Sequence, residues 1–94
     1  MFEIRPQEDN RFSVLGRWDA TQTNRASVVL DTLEGSALLD LAGLEYISSA
    51  GIGVLVKTQL RLQERGEGLT LINVQQRVRT VFHFAGLEEF FGMQ

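Results

Sequence analysis

The stretch "DLAGLEYISSAGIGVLV", Asp40 to Val56, constrains this chain most. An apolar run with the character of a strand ends in polar residues. Two serines follow, then an Ala-Gly step, and then apolar residues at helical spacing. A strand feeding a helix through a short turn is the basic unit of an α/β fold. The first turn of that helix holds Ala50, Gly51 and Gly53, so it is stripped of bulk. Ser48 and Ser49 at its mouth have two readings. Serine at a helix start accepts a hydrogen bond from an orphan backbone N–H two or three residues on. A cap needs only one serine, and the other reading makes one of the pair a chemical handle.

The flanking sequence repeats the same grammar. "FEIR" (Phe2–Arg5) alternates with the period of a half-buried strand, and Pro6 with "QEDN" turns the chain. "RFSVLGRW" (Arg11–Trp18) puts Phe12 and Val14 on one face, and the two strands form a hairpin. "DATQTNRASVVLDTLEG" reads as a helix with Ala26, Val29, Leu30 and Leu33 on one face. Asp19 or Thr21 caps its start and Gly35 closes it. In "SALLDLAGL", the run Ala37-Leu38-Leu39 predicts a strand covered on both faces or deep in the sheet. "AGLEY" reads as a turn.

A second helix spans about Ser49 to Arg65, with Ile52, Leu55, Val56 and Leu62 inward. "LTLINV" (Leu69–Val74) is a strand rich in β-branched residues. "QQRVRTVFHFAG" is a third helix with Val78, Val81, Phe82 and Ala85 inward and Gly86 as its stop. "LEEFFGMQ" is a short tail in which Leu87, Phe90 and Phe91 pack back onto the body. The predicted order is β-β-α-β-α-β-α, with parallel pairing across the β-α-β passages. Ninety-four residues suit one domain, 1–94.

Several classes of function recede. The nine Lys and Arg residues are scattered and the net charge is −3, so there is no basic patch for nucleic acid. No cysteine is present, which removes thiol chemistry and disulfides. The first residues lack the basic start and apolar core of a secretory leader, and no apolar run approaches the ~20 residues a membrane span needs. The expected location is the cytoplasm, without membrane insertion. His83 is the single histidine and has no cysteine or paired-carboxylate motif around it. Neither a metal site nor a hydrolytic triad is expected, and no Gly-x-Ser-x-Gly elbow occurs. "AGIGV" is too short for a nucleotide fingerprint. Neither cofactor nor enzymatic activity is expected. Asp19, Asp40 and Glu45 are scattered acids that read, singly, as turn carboxylates.

"GRWDA", "LLDLAGLEYISSAGIGVLV" and "LTLINVQQRVRTVFHFAGLEEFF" resemble the STAS domain of bacterial anti-sigma factor antagonists. The resemblance covers nearly the whole chain and is most specific from Asp40 to Leu55. It implies an α/β, STAS-like fold: a mixed sheet with helices mainly on one face. It also implies partner switching. The unphosphorylated antagonist binds an anti-sigma factor, often a serine kinase with a histidine-kinase-like ATPase fold, and so frees a sigma factor or other client. Phosphorylation at the start of the second helix ends binding, and a PP2C-type phosphatase resets the system. The common family pattern, Asp-Ser-small-Gly, places the acceptor on Ser49. It puts Ser48 where the family has Asp, the small residue on Ala50, and the glycine on Gly51. The resemblance implies partner-binding roles for Asp19, Asp40, Ser48, Ala50, Gly51, Gly53 and Val54. A second STAS-like class has no phosphorylation and serves as a subunit of ABC-type lipid-transport complexes.

Overall fold

The structure is a computed structural model and describes all 94 residues. Strands β1 (Phe2–Pro6) and β2 (Arg11–Trp18) form the expected antiparallel hairpin, with Ile4 opposite Val14. A 3-10 turn, Ala20–Gln22, leads into helix α1 (Thr23–Leu30). Strand β3 (Ala37–Ile47) then runs parallel to β2, and helix α2 (Ser49–Gln63) follows it at once. Strand β4 (Leu69–Ile72) lies parallel to β3, helix α3 (Gln76–Phe84) follows, and β5 (Gly92–Met93) closes the sheet parallel to β4. The spatial order is β1-β2-β3-β4-β5.

Burial alternates along the strands. Phe12, Val14 and Trp18 of β2, Ala37, Leu39 and Leu41 of β3, and Leu69 and Leu71 of β4 are buried. Their neighbours Ser13, Leu15, Leu38, Thr70 and Ile72 are only half-buried. One face therefore carries the core beneath the helices, as expected for this fold, and the other stays open. Leu38 departs from the expectation of two covered faces. It lies on the open side, in register with Arg11 and Thr70.

The structure differs from the sequence reading in four places. The first helix ends at Leu30, not near Gly35. Arg61 of α2 donates to the carbonyls of Leu30 (2.8 Å) and Leu33 (3.0 Å), so a side chain from the neighbouring helix satisfies the open end. Leu33 still joins the core from the following turn. "AGLEY" is strand, not turn: β3 continues to Ile47, with register shifts against β2 around Leu15 and Arg17. Gly43 permits this, since a Cβ there would stand 2.5 Å from Leu15 Cδ2. Ala85 is exposed, so Val78 and Phe82 alone of the four named residues of α3 are fully inward. The tail does pack back through Phe91, and it also supplies a fifth strand.

Candidate functional site

The site forms where β2 and β3 end side by side. Trp18 and Ile47 are register partners, and the next N–H on β3's side, that of Ser48, donates to Trp18 O at 2.8 Å. This bond holds the entrance of α2 against the exit of β2. Ser48 has extended backbone (φ −82°, ψ 166°), and its Oγ accepts from Gly51 N–H at 3.1 Å. Its carbonyl accepts from Ile52 N–H at 3.0 Å. Ser48 is the N-cap.

Ser49 is the first residue of α2 and is exposed. The cap occupies the N–H of Gly51. The N–H groups of Ser49 and Ala50 have no acceptor within the helix, because a helix leaves its first donors open. No acid stands in the first turn. No side chain of the first turn therefore offsets the partial positive charge of the helix end beside the Ser49 hydroxyl.

The two glycines of "AGIGV" separate here. Gly51 is buried, and a Cβ at that position would lie 2.9 Å from Ile47 Cγ1 and 3.0 Å from Trp18 Cδ1. The helix starts on top of an indole, and that close approach requires glycine at this position. Gly53 is exposed and a Cβ there would meet nothing within 4 Å. It alone of the two leaves bare helix on the surface, one turn beyond Ser49. Ala50, between Ser49 and Gly51, is half-buried. Val54, expected near the docking face, is 8% exposed and belongs to the core cluster. Its side chain is turned to the sheet by the helical period that turns Ser49 and Gly53 away from it.

Asp19 follows Trp18 and so sits at this end of the sheet. Its carboxylate accepts from the N–H of Thr21 at 2.9 Å and from the Thr21 hydroxyl, which caps the 3-10 turn 20–22. That turn packs against α2. The hydroxyl bond first, then the N–H bond, holds the Asp19 carboxyl below its usual 3.8, with Arg17 adding to the effect and partial desolvation opposing it.

The structure does not bring Asp40 to the serines. It pairs in register with Ser13 and Ile72, and its carboxylate accepts from Ala42 N–H (3.0 Å) and Asn73 Nδ2 (3.2 Å). Along β3 from Asp40 to Ile47 at about 3.3 Å per residue, the separation is roughly 20 Å. Asp40 shapes the exit of β4, not the mouth of α2.

Two features escaped the sequence reading. Thr21 fixes Asp19, and the Asp-x-Thr spacing was the available signal, since Asp side chains bond a backbone N–H two residues on. The Arg17 guanidinium lies 4.5 Å from the centroid of the Tyr46 ring, on the open face just below the site. Only strand register reveals that pair. The surface hollows are lined by residues 7–11 and by residues of α3 and the segment after it, so Ser48 and Ser49 line none of them. The Ser49 hydroxyl is exposed at the start of α2 and lies in no hollow.

The family described as Mlab, STAS domain matches residues 16–93. A putative anti-sigma factor antagonist of Bordetella bronchiseptica, BtrV, is 45% identical over 64 residues, covering 66% of this chain and 53% of that protein. The chain thus spans about half the length of that curated relative. The anti-sigma factor antagonist SpoIIAA in its unphosphorylated form aligns over 100% of this chain and 88% of its own, with a TM-score of 0.72 and 19% identity. The phosphorylated form of SpoIIAA, a Bacillus cell fate determinant, gives 0.72 at 17% identity, over 100% and 91% of the two chains. A sulfate transporter family protein from Wolinella succinogenes gives 0.75 at 22% identity, over 96% and 76%. At such identities the structural matches show a common fold. The match across residues 16–93 settles more: the chain belongs to the STAS domain family, among whose members it matches anti-sigma factor antagonists in both sequence and fold.

Proposed function

We propose that this protein is an anti-sigma factor antagonist that works by partner switching. Unphosphorylated, it binds an anti-sigma factor, a serine kinase of the histidine-kinase-like ATPase fold, and releases a sigma factor or other client. Phosphorylation of Ser49 ends binding, and a PP2C-type phosphatase restores it. The observation that carries this reading is the division of labour between the serines. Ser48 is committed to the cap, while Ser49 is exposed at the first helical position with no structural bond to keep.

The physics of the switch is local. A phosphate adds about −1.5 to −2 charges. Next to open N–H donors and the positive helix end it is tolerated by the fold. A partner lying against Ser49 and Gly53 must desolvate that dianion, and any acid it presents is repelled. A loss of several kcal/mol follows, and each ~1.4 kcal/mol is tenfold in affinity. Asp19 and Ala50 frame the same end, so they belong to the proposed contact surface. Gly51 and Val54 support it from beneath.

A second reading is a fixed STAS subunit of an ABC-type lipid-transport complex. What favours it is the neutral Ser48 in the position where the commonest switching pattern has a carboxylate. The first turn of α2 supplies no acid in its place. The fold is common to both classes, so it does not choose between them.

The test is paired affinity capture from native lysate with wild type and Ser49→Glu as bait, read by mass spectrometry. A kinase-like anti-sigma factor held by wild type and lost by the variant supports the switch. An ATPase transporter subunit held equally by both overturns it in favour of the fixed subunit.

A further inference from the structure

The segment after α3 is held in a slot by contacts that do not depend on which copy of the chain supplies it. Phe91 is 4% exposed and meets the Phe82 ring edge-on at 5.6 Å. Strand β5 pairs with β4 through only Thr70–Gly92 and Leu71–Met93. Gln94 N–H donates to Leu71 O (2.8 Å), and Asn73 N–H donates to Gln94 O (3.1 Å). The amide of Gln59, buried on α2, works in both directions. Its Nε2 donates to Phe90 O at 2.8 Å, and its Oε1 accepts from Leu69 N–H at 2.7 Å. Without the segment, that amide loses half its bonding, Phe82 loses its cover, and the edge of β4 is bare. A short strand is thus fastened at a sheet edge by side-chain anchors on a matched slot.

The hinge before it is a single turn. Gly86 has φ +72°. Its N–H donates to His83 O (3.0 Å), and Leu87 N–H donates to Phe82 O (2.9 Å). This is the Schellman ending of α3 with glycine in the left-handed position. Glu88, just past the hinge, pairs with His83 and Arg79 and holds the turn shut. A Cβ at Gly86 would meet nothing within 4 Å. Space is therefore no obstacle to a larger residue, and only the backbone conformation is.

From this we propose that residues 87–94 are an exchangeable strap whose alternative slot is that of a second copy of this chain, giving a two-fold dimer joined by reciprocal exchange. Opening requires that Gly86 leave the left-handed region, that Glu88 release His83 and Arg79, and that α3 continue past Ala85. Every strap contact is then remade in trans. The balance between closed monomer and exchanged dimer rests on the hinge conformation and on concentration. The occupant is a second copy because the slot already fits this sequence: two aromatic residues, a glycine, and two ladder steps.

Gly86→Ala tests it. Alanine is disfavoured by roughly tenfold in the closed left-handed turn and fits the open helical form. A dimer contains two hinges, so its dissociation constant is expected to fall about a hundredfold relative to wild type. Both chains are refolded at high concentration and compared by light scattering after size exclusion. A Gly86→Ala chain that is folded yet monomeric from micromolar to millimolar concentration overturns the proposal.

A second measurement does not depend on that variant folding. The chain has no cysteine, so Thr70→Cys and Gly92→Cys single variants are unfolded together, refolded concentrated and oxidised. Exchange yields a covalent dimer linking position 70 of one copy to position 92 of the other, identified by peptide mass. Refolded protein without that link refutes the strap.

Discussion

Gly51 rests on the indole of Trp18: a Cβ placed on Gly51 would come within 3.0 Å of Trp18 Cδ1 and 3.1 Å of Cγ. The first turn of α2 is seated on the last residue of β2 through this contact. The position of Ser49 thus depends on a glycine and a tryptophan from two different elements. Trp18 is fully buried, so it has little room to retreat.

The two glycines of α2 should therefore respond in opposite directions to the same substitution. Gly51→Ala is expected to destabilise by about 1–3 kcal/mol through overpacking, less the helix propensity gained. Gly53→Ala meets no neighbour and is expected to stabilise by up to about 1 kcal/mol. Urea unfolding of both variants decides. Equal effects would mean that Trp18 and Ile47 do not enforce the glycine.

The serines should separate in the same way. Ser48→Ala removes the acceptor for Gly51 N–H and is expected to cost about 1 kcal/mol. Ser49→Ala removes an exposed hydroxyl with no protein partner, and a change within about 0.5 kcal/mol is expected. If Ser49→Ala is the costlier of the two, the roles assigned to the pair are reversed.

These contrasts mark where sequence was sufficient. The alternation in "FEIR", the 3.6-residue spacing of Ile52, Leu55 and Leu62, and the turn residues around Pro6 and Gly86 made the element order legible. Each is a local signal about a local event. The motif around Ser49 also showed the site, because a strand running into a capped helix is local. What stayed hidden depended on partners distant in sequence. The early end of α1 is set by Arg61, the continuation of β3 by Leu15 lying over Gly43, and β5 by the Gln59 amide. The roles of Gly51 and Gly53 look identical in "AGIGV", and only the presence of Trp18 beneath one of them tells them apart. Asp40 belongs to the same motif as the serines, yet an extended strand carries it away at about 3.3 Å per residue.

Asp19 gives a prediction in pH. Its carboxyl titrates below 3.8 because Thr21 bonds the charged form, by hydroxyl first and N–H second. A lowered folded pKa stabilises the fold above the unfolded value, and that contribution disappears as pH falls through the folded value. Thr21→Val removes the larger of the two causes and keeps the shape. The carboxyl carbon of Asp19, followed by NMR, is expected to titrate closer to 3.8 in the variant. An unchanged titration would mean that the hydroxyl bond does not set it.

Ser49→Glu tests fold and switch together. The side chain projects from the first residue of α2 into solvent, and no acid already occupies that turn. A carboxylate there faces open N–H donors and the positive helix end, an arrangement worth about 0.3–1 kcal/mol in favour of the helix. The melting temperature is therefore expected to hold or to rise by a few degrees, since ~1 kcal/mol moves a domain of this size by about 4–8 °C. Partner binding is expected to fall by at least about tenfold, because the charge that the helix welcomes must be desolvated by whatever lies on top of it. The two readouts separate two kinds of failure. A variant that melts several degrees lower shows the Ser49 hydroxyl to be part of the fold, whereas a stable variant that binds its partner undiminished shows that the contact surface lies elsewhere on the domain.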